Sequence, residues 1–197
     1  MQKLLKVTMT SLVLLTMTYA EEMNENNMIE VETESESPFY IVTKGMVTPG
    51  GDMREEEALL EGDNAYGVGL DIGYMFHEHF GIEFSTVYGK NDITRTEEMH
   101  GEIEVDKAKA TYVSYAINLI FKHPINEEFG YFIKAGYEKE HETIDDFNID
   151  EKEHGVDAAA GLTYEINEKM AALVEYEYSS IRGLRGDAFF LGIEFEF

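Results

Sequence analysis

Six ionisable residues fall in six separate strand-like segments, each at a position that alternation turns away from the bulky apolar side chains. They are Asp71, Glu83, Lys134, Asp157, Glu175 and Glu194. Five carboxylates around one ammonium have two readings. They could form a path for cations, or they could be a polar network that fills a narrow interior. We favour the filled interior and retain the ion path as the alternative.

Other residues whose side chains could bind a metal ion or take part in catalysis lack the spacing that a site requires. The carboxylate runs, such as Glu55-Glu56-Glu57 and Asp145-Asp146, do not have the spacing of a calcium loop, and His77-x-His79 supplies only two imidazoles. We therefore predict no metal site and no cofactor. Serines are scarce after residue 37, and none stands in a motif with a histidine, so we expect no enzyme activity.

Eight segments of about ten residues alternate with polar connectors and predict strands. These segments are Phe39–Thr48, Ala65–Phe76, Phe80–Gly89, Ala110–Phe121, Phe129–Glu138, Gly155–Ile166, Met170–Ser179 and Ala188 to the terminal Phe197. In the second to eighth segments one face carries no charged residue, whereas the other carries Gly, Ala, Ser and ionisable groups. Bulky apolar residues on the outer face indicate an all-β fold, an eight-stranded antiparallel up-and-down barrel in a lipid bilayer. In the first segment we expect Lys44 to point inward, away from lipid.

Connector lengths support the same topology. The connectors after the second, fourth and sixth strands are short, whereas three of the other four are long: 49–64, 90–109 and 139–154. Short turns on the periplasmic side and long loops outside are typical of such barrels. We predict these three connectors as polar loops.

The N-terminus predicts export. Residues 1–20 combine two lysines, an apolar stretch and a small terminal residue, which is typical of a cleaved signal peptide. Residues 21–37 are acidic and lack periodicity, which indicates a disordered leader, and residues 38–197 form the predicted barrel. The net charge of -25 argues against nucleic acid as a partner, and the absence of cysteine excludes disulfides.

Several segments resemble the small outer-membrane β-barrel family that includes the opacity proteins, the OmpX- and OmpA-like barrels and proteins labelled porins. The resemblance lies in Gly67–Phe76, Phe80–Phe84, Glu175–Tyr178 and Gly192–Phe197. It implies that Gly192, Phe195 and Phe197 belong to the C-terminal signal read by the barrel-assembly machinery. The position two before the glycine, usually polar in that signal, is Phe190 here.

Together these observations predict a monomeric barrel in the outer membrane, with acidic outer loops and a lumen filled by side chains. We expect a role in envelope structure or in surface interaction and adhesion through the loops. The alternatives are a narrow cation-preferring porin and, less favoured, a lipid A-modifying enzyme. Expected partners are outer-membrane lipid and lipopolysaccharide, which divalent ions could bridge to the acidic loops, the assembly machinery and an extracellular ligand.

Overall fold

The computed structural model describes residues 37–55, 58–99, 102–181 and 187–197, and these form antiparallel β-structure. The ten strands are β1 Phe39–Thr48, β2 Asp52–Glu55, β3 Ala58–Gly62, β4 Ala65–His77, β5 Phe80–Met99, β6 Glu102–Pro124, β7 Phe129–Ile144, β8 Ile149–Asn167, β9 Met170–Ser179 and β10 Ala188–Glu196. A 3-10 turn, Asp145–Phe147, joins β7 to β8. The predicted signal peptide and residues 21–36 of the predicted leader lie outside the described residues.

Eight of these strands close into a ring. The order is β1-β4-β5-β6-β7-β8-β9-β10, and β10 pairs back onto β1 from Tyr40↔Glu196 to Val47↔Phe189. The sequence prediction of an eight-stranded antiparallel barrel is therefore confirmed. The two further strands, β2 and β3, form a hairpin that pairs through β3 with the far end of β5.

The barrel is apolar outside and polar inside. Leu191, Ile117 and Ile72 on the outer face are 68%, 58% and 47% exposed, whereas Asp71 and Glu83 are 0% and 1% exposed. This arrangement is the inverse of a water-soluble protein and matches a wall whose outer face meets hydrocarbon. None of the described residues lies in a helix of the length and hydrophobicity that crossing a bilayer requires.

The predicted outer loops are largely β-structure, which corrects the sequence interpretation. Strands β5 and β6 pair from Phe80↔Phe121 to Met99↔Glu102, and β7 and β8 pair as far as Ile144↔Ile149. The wall of the barrel thus continues beyond the predicted ends of the strands on the long-loop side. We call this continuation the outer sheet, and it is composed of β2, β3 and the far ends of β5, β6, β7 and β8.

An apolar cluster holds this outer sheet together. Leu60, Ile93 and Ile144 are each 1% exposed, and Phe147 and Ile149 pack against the same cluster. Charged residues alternate with these apolar ones along the strands, so the segments have the low hydrophobicity of loops although they bury one face. The polar composition of these segments therefore conceals the period-two alternation that is typical of a strand.

Candidate functional site

The centre of the lumen contains a network of two lysines and three carboxylates. Lys134 Nζ lies 2.6 Å from Glu83 Oε1, 2.7 Å from Glu175 Oε2 and 3.4 Å from Asp71 Oδ2. Lys44 Nζ lies 2.9 Å from both Asp71 Oδ2 and Glu175 Oε1. All five residues are at most 4% exposed. Each ammonium thus contacts at least two carboxylates, which offsets part of the cost of burying these charges.

The register of the strands places these side chains at the same height in the lumen. Lys44 stands on β1 between Gly192 of β10 and Gly69 of β4, its two cross-strand partners. A Cβ added at Gly69 would lie 2.9 Å from Lys44 Cγ, so the glycine leaves the space that the lysine stem occupies. The expectation that Lys44 points inward is confirmed.

An apolar layer lies on the short-turn side of the network. It consists of Tyr40, Val42, Ile120, Phe132 and Leu173, all at most 3% exposed. Tyr40 Oη donates a hydrogen bond of 2.8 Å to Glu83 Oε2, which ties this layer to the charges. Glycines again provide the room, because a Cβ at Gly73 would lie 1.9 Å from Tyr40 Cζ and one at Gly161 would lie 2.2 Å from Phe132 Cζ.

A second apolar layer lies on the opposite side of the network. Met46, Val87, Tyr112 and Phe190 are at most 6% exposed and are continuous with the apolar cluster of the outer sheet. Lys44 Nζ sits 4.2 Å from the centroid of the Phe190 ring, a cation–π contact. This contact gives Phe190 a role inside the lumen, at the position where the assembly signal of the resembling family is usually polar.

The six ionisable residues singled out from the sequence are all buried, but they do not form one cluster. Asp71, Glu83, Lys134 and Glu175 meet at the centre, as described above. Glu194 instead pairs with Lys122, whose Nζ lies 3.5 Å from the centroid of the Tyr40 ring. Asp157 is 4% exposed and has no salt bridge among the described side chains.

The sequence pattern does not identify Lys122, because the fourth predicted strand ends at Phe121 and Lys122 falls in the turn that follows. In the structure β6 continues to Pro124, and Lys122 therefore keeps the inward phase of Ser114, Ala116 and Asn118. Extending the predicted strand by one residue, from Phe121 to Lys122, places this lysine on the inner face.

The outer end of the lumen is strongly acidic. Glu138, Glu140 and Glu142 follow one another on the inner face of β7 and are 2%, 6% and 7% exposed. Ser179 Oγ donates a hydrogen bond of 2.8 Å to Glu138 Oε2. At Glu142, which lies beyond the membrane-spanning part of β7, burial and then the neighbouring carboxylates raise the pKa to about 7.

The opposite mouth, on the short-turn side, is an open cavity of about 500 Å³. Its lining includes Lys122, Glu165, Glu168, Glu194 and His79. The predicted histidine pair is joined by a third ring, since the His79 and His123 centroids are 5.0 Å apart while those of His77 and His79 are 6.3 Å apart. Among the side chains that the structure describes, no group of three or more His, Asp or Glu residues is arranged to hold a metal ion.

The three predicted residues of the assembly signal lie on the closing strand. Gly192 faces Lys44 across the β1–β10 pairing, and Phe195 and Phe197 are 36% and 59% exposed. The backbone N–H of Ser37 donates to the carbonyl of Phe197 at 2.8 Å, so the two ends of the described barrel meet. Recognition by the assembly machinery stays a prediction.

A closed antiparallel ring with an apolar outer face and buried charged residues inside defines a transmembrane β-barrel. The chain belongs to the family of outer membrane proteins with a β-barrel domain, because the model of that domain matches residues 11–197. It is therefore a protein of the outer membrane.

Solved structures of outer-membrane barrels share the fold. The chain is similar to the outer membrane protein OprG of Pseudomonas aeruginosa, with 13% identity, a TM-score of 0.61 and coverage of 82% of this chain and 97% of that one. The Neisserial surface protein A is 12% identical, with a TM-score of 0.55 and coverage of 83% and 100%. The attachment invasion locus protein Ail of Yersinia pestis, solved with the heparin analogue sucrose octasulfate, is 18% identical, with a TM-score of 0.51 and coverage of 82% and 99%. A search of curated protein sequences gave no match.

Proposed function

We propose that this protein acts in envelope structure or surface interaction, as a sealed barrel that anchors a folded β-sheet outside the membrane. The observation that carries the proposal is the layered lumen. The network of Lys44 and Lys134 with its three carboxylates lies between two layers of buried apolar side chains. An ion that crossed would have to separate buried ion pairs and pass both dry layers, and breaking one buried pair costs about 3–5 kcal/mol.

A narrow cation-preferring pore is the second candidate, and one observation favours it. The outer end of the lumen holds the buried acids Glu138, Glu140 and Asp157, which would attract cations. The central lysines and the apolar layers oppose this role, because they place positive charge and dry surface on the only route through the described lumen.

A lipid-modifying enzyme has the least support. Ser85 and Ser114 are buried in the lumen, where a lipid substrate does not reach, and Ser85 Oγ donates to Glu83. Ser179 donates a hydrogen bond to Glu138, and Ser180 accepts one from the Val156 amide. None of these four serines is hydrogen-bonded to a histidine in the described part of the chain.

Planar-bilayer recording tests the sealed lumen. The full-length mature protein should give no single-channel steps under conditions in which a known porin does. Reproducible steps that select cations and change with Glu175→Gln would overturn the sealed barrel and establish the pore.

Shortening the outer sheet tests the surface role. Replacing residues 92–109 with an Asn-Gly turn between Asn91 and Ala110 should leave a heat-modifiable barrel, because these two residues are cross-strand partners. We expect loss of the envelope or surface-binding phenotype of the parent protein. Full retention of that phenotype by the folded variant would remove the outer sheet from the function.

The remaining partners are also part of the proposal. We expect a monomer that is inserted by the barrel-assembly machinery, surrounded by lipid and lipopolysaccharide, and available to an extracellular ligand through the outer sheet.

A further inference from the structure

Charge along the part of β7 that lies in the outer sheet is segregated by face. Along β7, Glu138, Glu140 and Glu142 point to the inner side and are buried, whereas Lys139 is exposed on the outer side and His141 is partly exposed there. The sequence alternates acid and base residue by residue, and a strand places alternate residues on opposite faces. The outer face of this strand is therefore basic although the chain carries a net charge of -25.

The neighbouring strands repeat this arrangement. On β6, Lys107 and Lys109 are exposed while Ala108 and Ala110 between and beyond them are buried. On β8, Lys152 and His154 are the cross-strand partners of His141 and Lys139 and thus share their face. We name the five outward lysines the lysine belt: Lys90, Lys107, Lys109, Lys139 and Lys152.

The belt begins where the lipid-facing surface ends. Lys90 and Lys139 stand two residues beyond the exposed Tyr88 and Tyr137, on the same faces of β5 and β7. Lys107 stands eight residues beyond Tyr115 on β6. With a rise of about 3.3 Å per residue and a strand tilt of about 45°, the belt covers a zone from about 5 to 20 Å beyond these tyrosines.

Most of the belt is available to a partner. On the strands that carry the belt, Asp92 pairs with Lys109 at 3.0 Å and Asp150 with His141 at 2.8 Å. Glu61 and Asp52 also lie on this face, on β3 and β2, and Thr94 of β5 separates Glu61 from Lys107. Among the described side chains, no carboxylate lies within 4.0 Å of the ammonium groups of Lys90, Lys107, Lys139 and Lys152. Four ammonium groups without a carboxylate partner among the described side chains therefore face outward, one from each of the four adjoining strands β5, β6, β7 and β8. That of Lys90 lies 5.5 Å from the centroid of the Tyr88 ring.

We propose that the lysine belt binds the phosphate groups of the glycolipid in the outer leaflet, lipopolysaccharide, directly and without a bridging divalent ion. Ammonium groups form charge-assisted hydrogen bonds with phosphate, and lysines near an anionic lipid surface add to its attraction. The belt continues the face that contacts hydrocarbon, so a ligand anchored in the same leaflet reaches it without leaving the membrane plane. This inference rests on the proposed surface role, and it assigns that role a partner.

The test uses full-length mature protein in a neutral detergent, with lipopolysaccharide and chemically dephosphorylated lipopolysaccharide as probes. We expect wild type to bind the phosphorylated probe at least tenfold more tightly. The triple variant Lys107→Gln, Lys139→Gln and Lys152→Gln should lose about tenfold to a hundredfold in affinity for that probe. Added EDTA should leave wild-type binding unchanged. Equal affinity for the two probes, or an unaffected triple variant, would refute the belt, and loss of binding in EDTA would restore the divalent bridge.

A matched control separates a local site from a change in net charge. Glu104→Gln, Asp106→Asn and Glu153→Gln change three exposed residues of the same outer sheet on its opposite face. Their combined effect on affinity should stay within about twofold, because screening confines the lysine–phosphate attraction to short range. If the control variant gained as much affinity for lipopolysaccharide as the lysine variant loses, net charge would explain the binding and the lysine belt would be refuted as a local site.

Soluble polyphosphate distinguishes the lipid headgroup from a free polyanion. Binding of polyphosphate as tight as that of lipopolysaccharide would overturn the assignment to the membrane lipid. All variants must keep heat-modifiable mobility, which shows that the barrel is folded. Conductance is a separate readout, since a conducting barrel would end the sealed-lumen proposal whether or not the lysines bind phosphate.

Discussion

Lys44 and Lys134 hold opposite oxygens of one carboxylate: Lys44 Nζ lies 2.9 Å from Oε1 of Glu175, and Lys134 Nζ lies 2.7 Å from its Oε2. The two lysines stand on β1 and β7, which lie four strands apart in a ring of eight and therefore on opposite walls. Glu175 thus joins the two sides of the barrel through its lumen. The charges of the interior therefore link opposite walls of the barrel as a cross-brace.

Removing one lysine of this brace should weaken the whole barrel. We expect Lys134→Met to reduce the free energy of unfolding by about 3–5 kcal/mol, because three buried carboxylates are left with Lys44 alone. Urea unfolding in lipid vesicles, followed by heat-modifiable gel mobility, measures the change. The control is Lys169→Met in the exposed β8–β9 turn, which should stay within about 0.5 kcal/mol of wild type. Equal effects of the two variants would contradict the brace.

The fit of Tyr40 against Gly73 should be sensitive to a single methyl group. Gly73→Ala places a Cβ 1.9 Å from Tyr40 Cζ, so the ring must move away from Glu83 and Lys122. We expect a loss of about 1–3 kcal/mol in unfolding free energy. Gly45→Ala is the matched control, since the nearest atom to its Cβ is Leu191 O at 3.9 Å. If Gly45→Ala lowered the unfolding free energy as much as Gly73→Ala, the effect would come from the strand backbone and not from the contact with the Tyr40 ring.

The outer sheet should be more stable in mild acid than at neutral pH. Burial and the carboxylates of Glu140, Glu151 and Glu153 raise the pKa of Glu142 from 4.5 to about 7. The folded sheet therefore binds a proton more tightly than the unfolded sheet, and its stability falls as the pH rises from about 4.5 to about 7. Since solvent screens part of the repulsion at the open end, we expect a fall of about 1–2 kcal/mol.

Carboxyl NMR titration of Glu142 in detergent checks this expectation directly. A midpoint near 7 supports it, and a midpoint near 4.5 contradicts it. Glu142→Gln should remove most of the pH dependence of protease resistance in the outer sheet, while the barrel strands should remain protected in both proteins.

The terminal residue should matter for insertion more than its exposure suggests. Phe197 is 59% exposed and Phe76, at the end of β4, is 58% exposed. We expect deletion of Phe197 to reduce the yield of heat-modifiable protein in the outer-membrane fraction several-fold, whereas Phe76→Ala retains near-normal yield. A normal yield for the deletion would refute a role of Phe197 in the assembly signal.

The alternation of single residues predicted the membrane-spanning wall well. The bounds of β1 and β9 agree with the predicted Phe39–Thr48 and Met170–Ser179, and Lys44 points inward as expected. The reason is physical: hydrocarbon tolerates no charge on the outer face, so phase and length follow from a few residues.

Outside the bilayer that constraint disappears. Lys139, His141, Lys152 and His154 alternate with glutamates, so these stretches of β7 and β8 are polar on both faces and their composition favours loops. The partners of Glu194 and Glu175 also escaped prediction. They depend on the stagger between strands, which brings Lys122 to Glu194 and Lys44 to Glu175 and cannot be read from one strand at a time.

The β1–β10 seam sets the order in which this molecule can fold. Each other pair within the ring, apart from the one between β1 and β4, joins strands that follow each other directly in the chain, whereas the seam joins the first strand to the last. Its closure carries the largest loop entropy and has to await synthesis of the final strand. Until then β1 and β10 are open edges that can pair with other chains. The nascent protein therefore has to be kept away from other unfolded chains until the seam has closed.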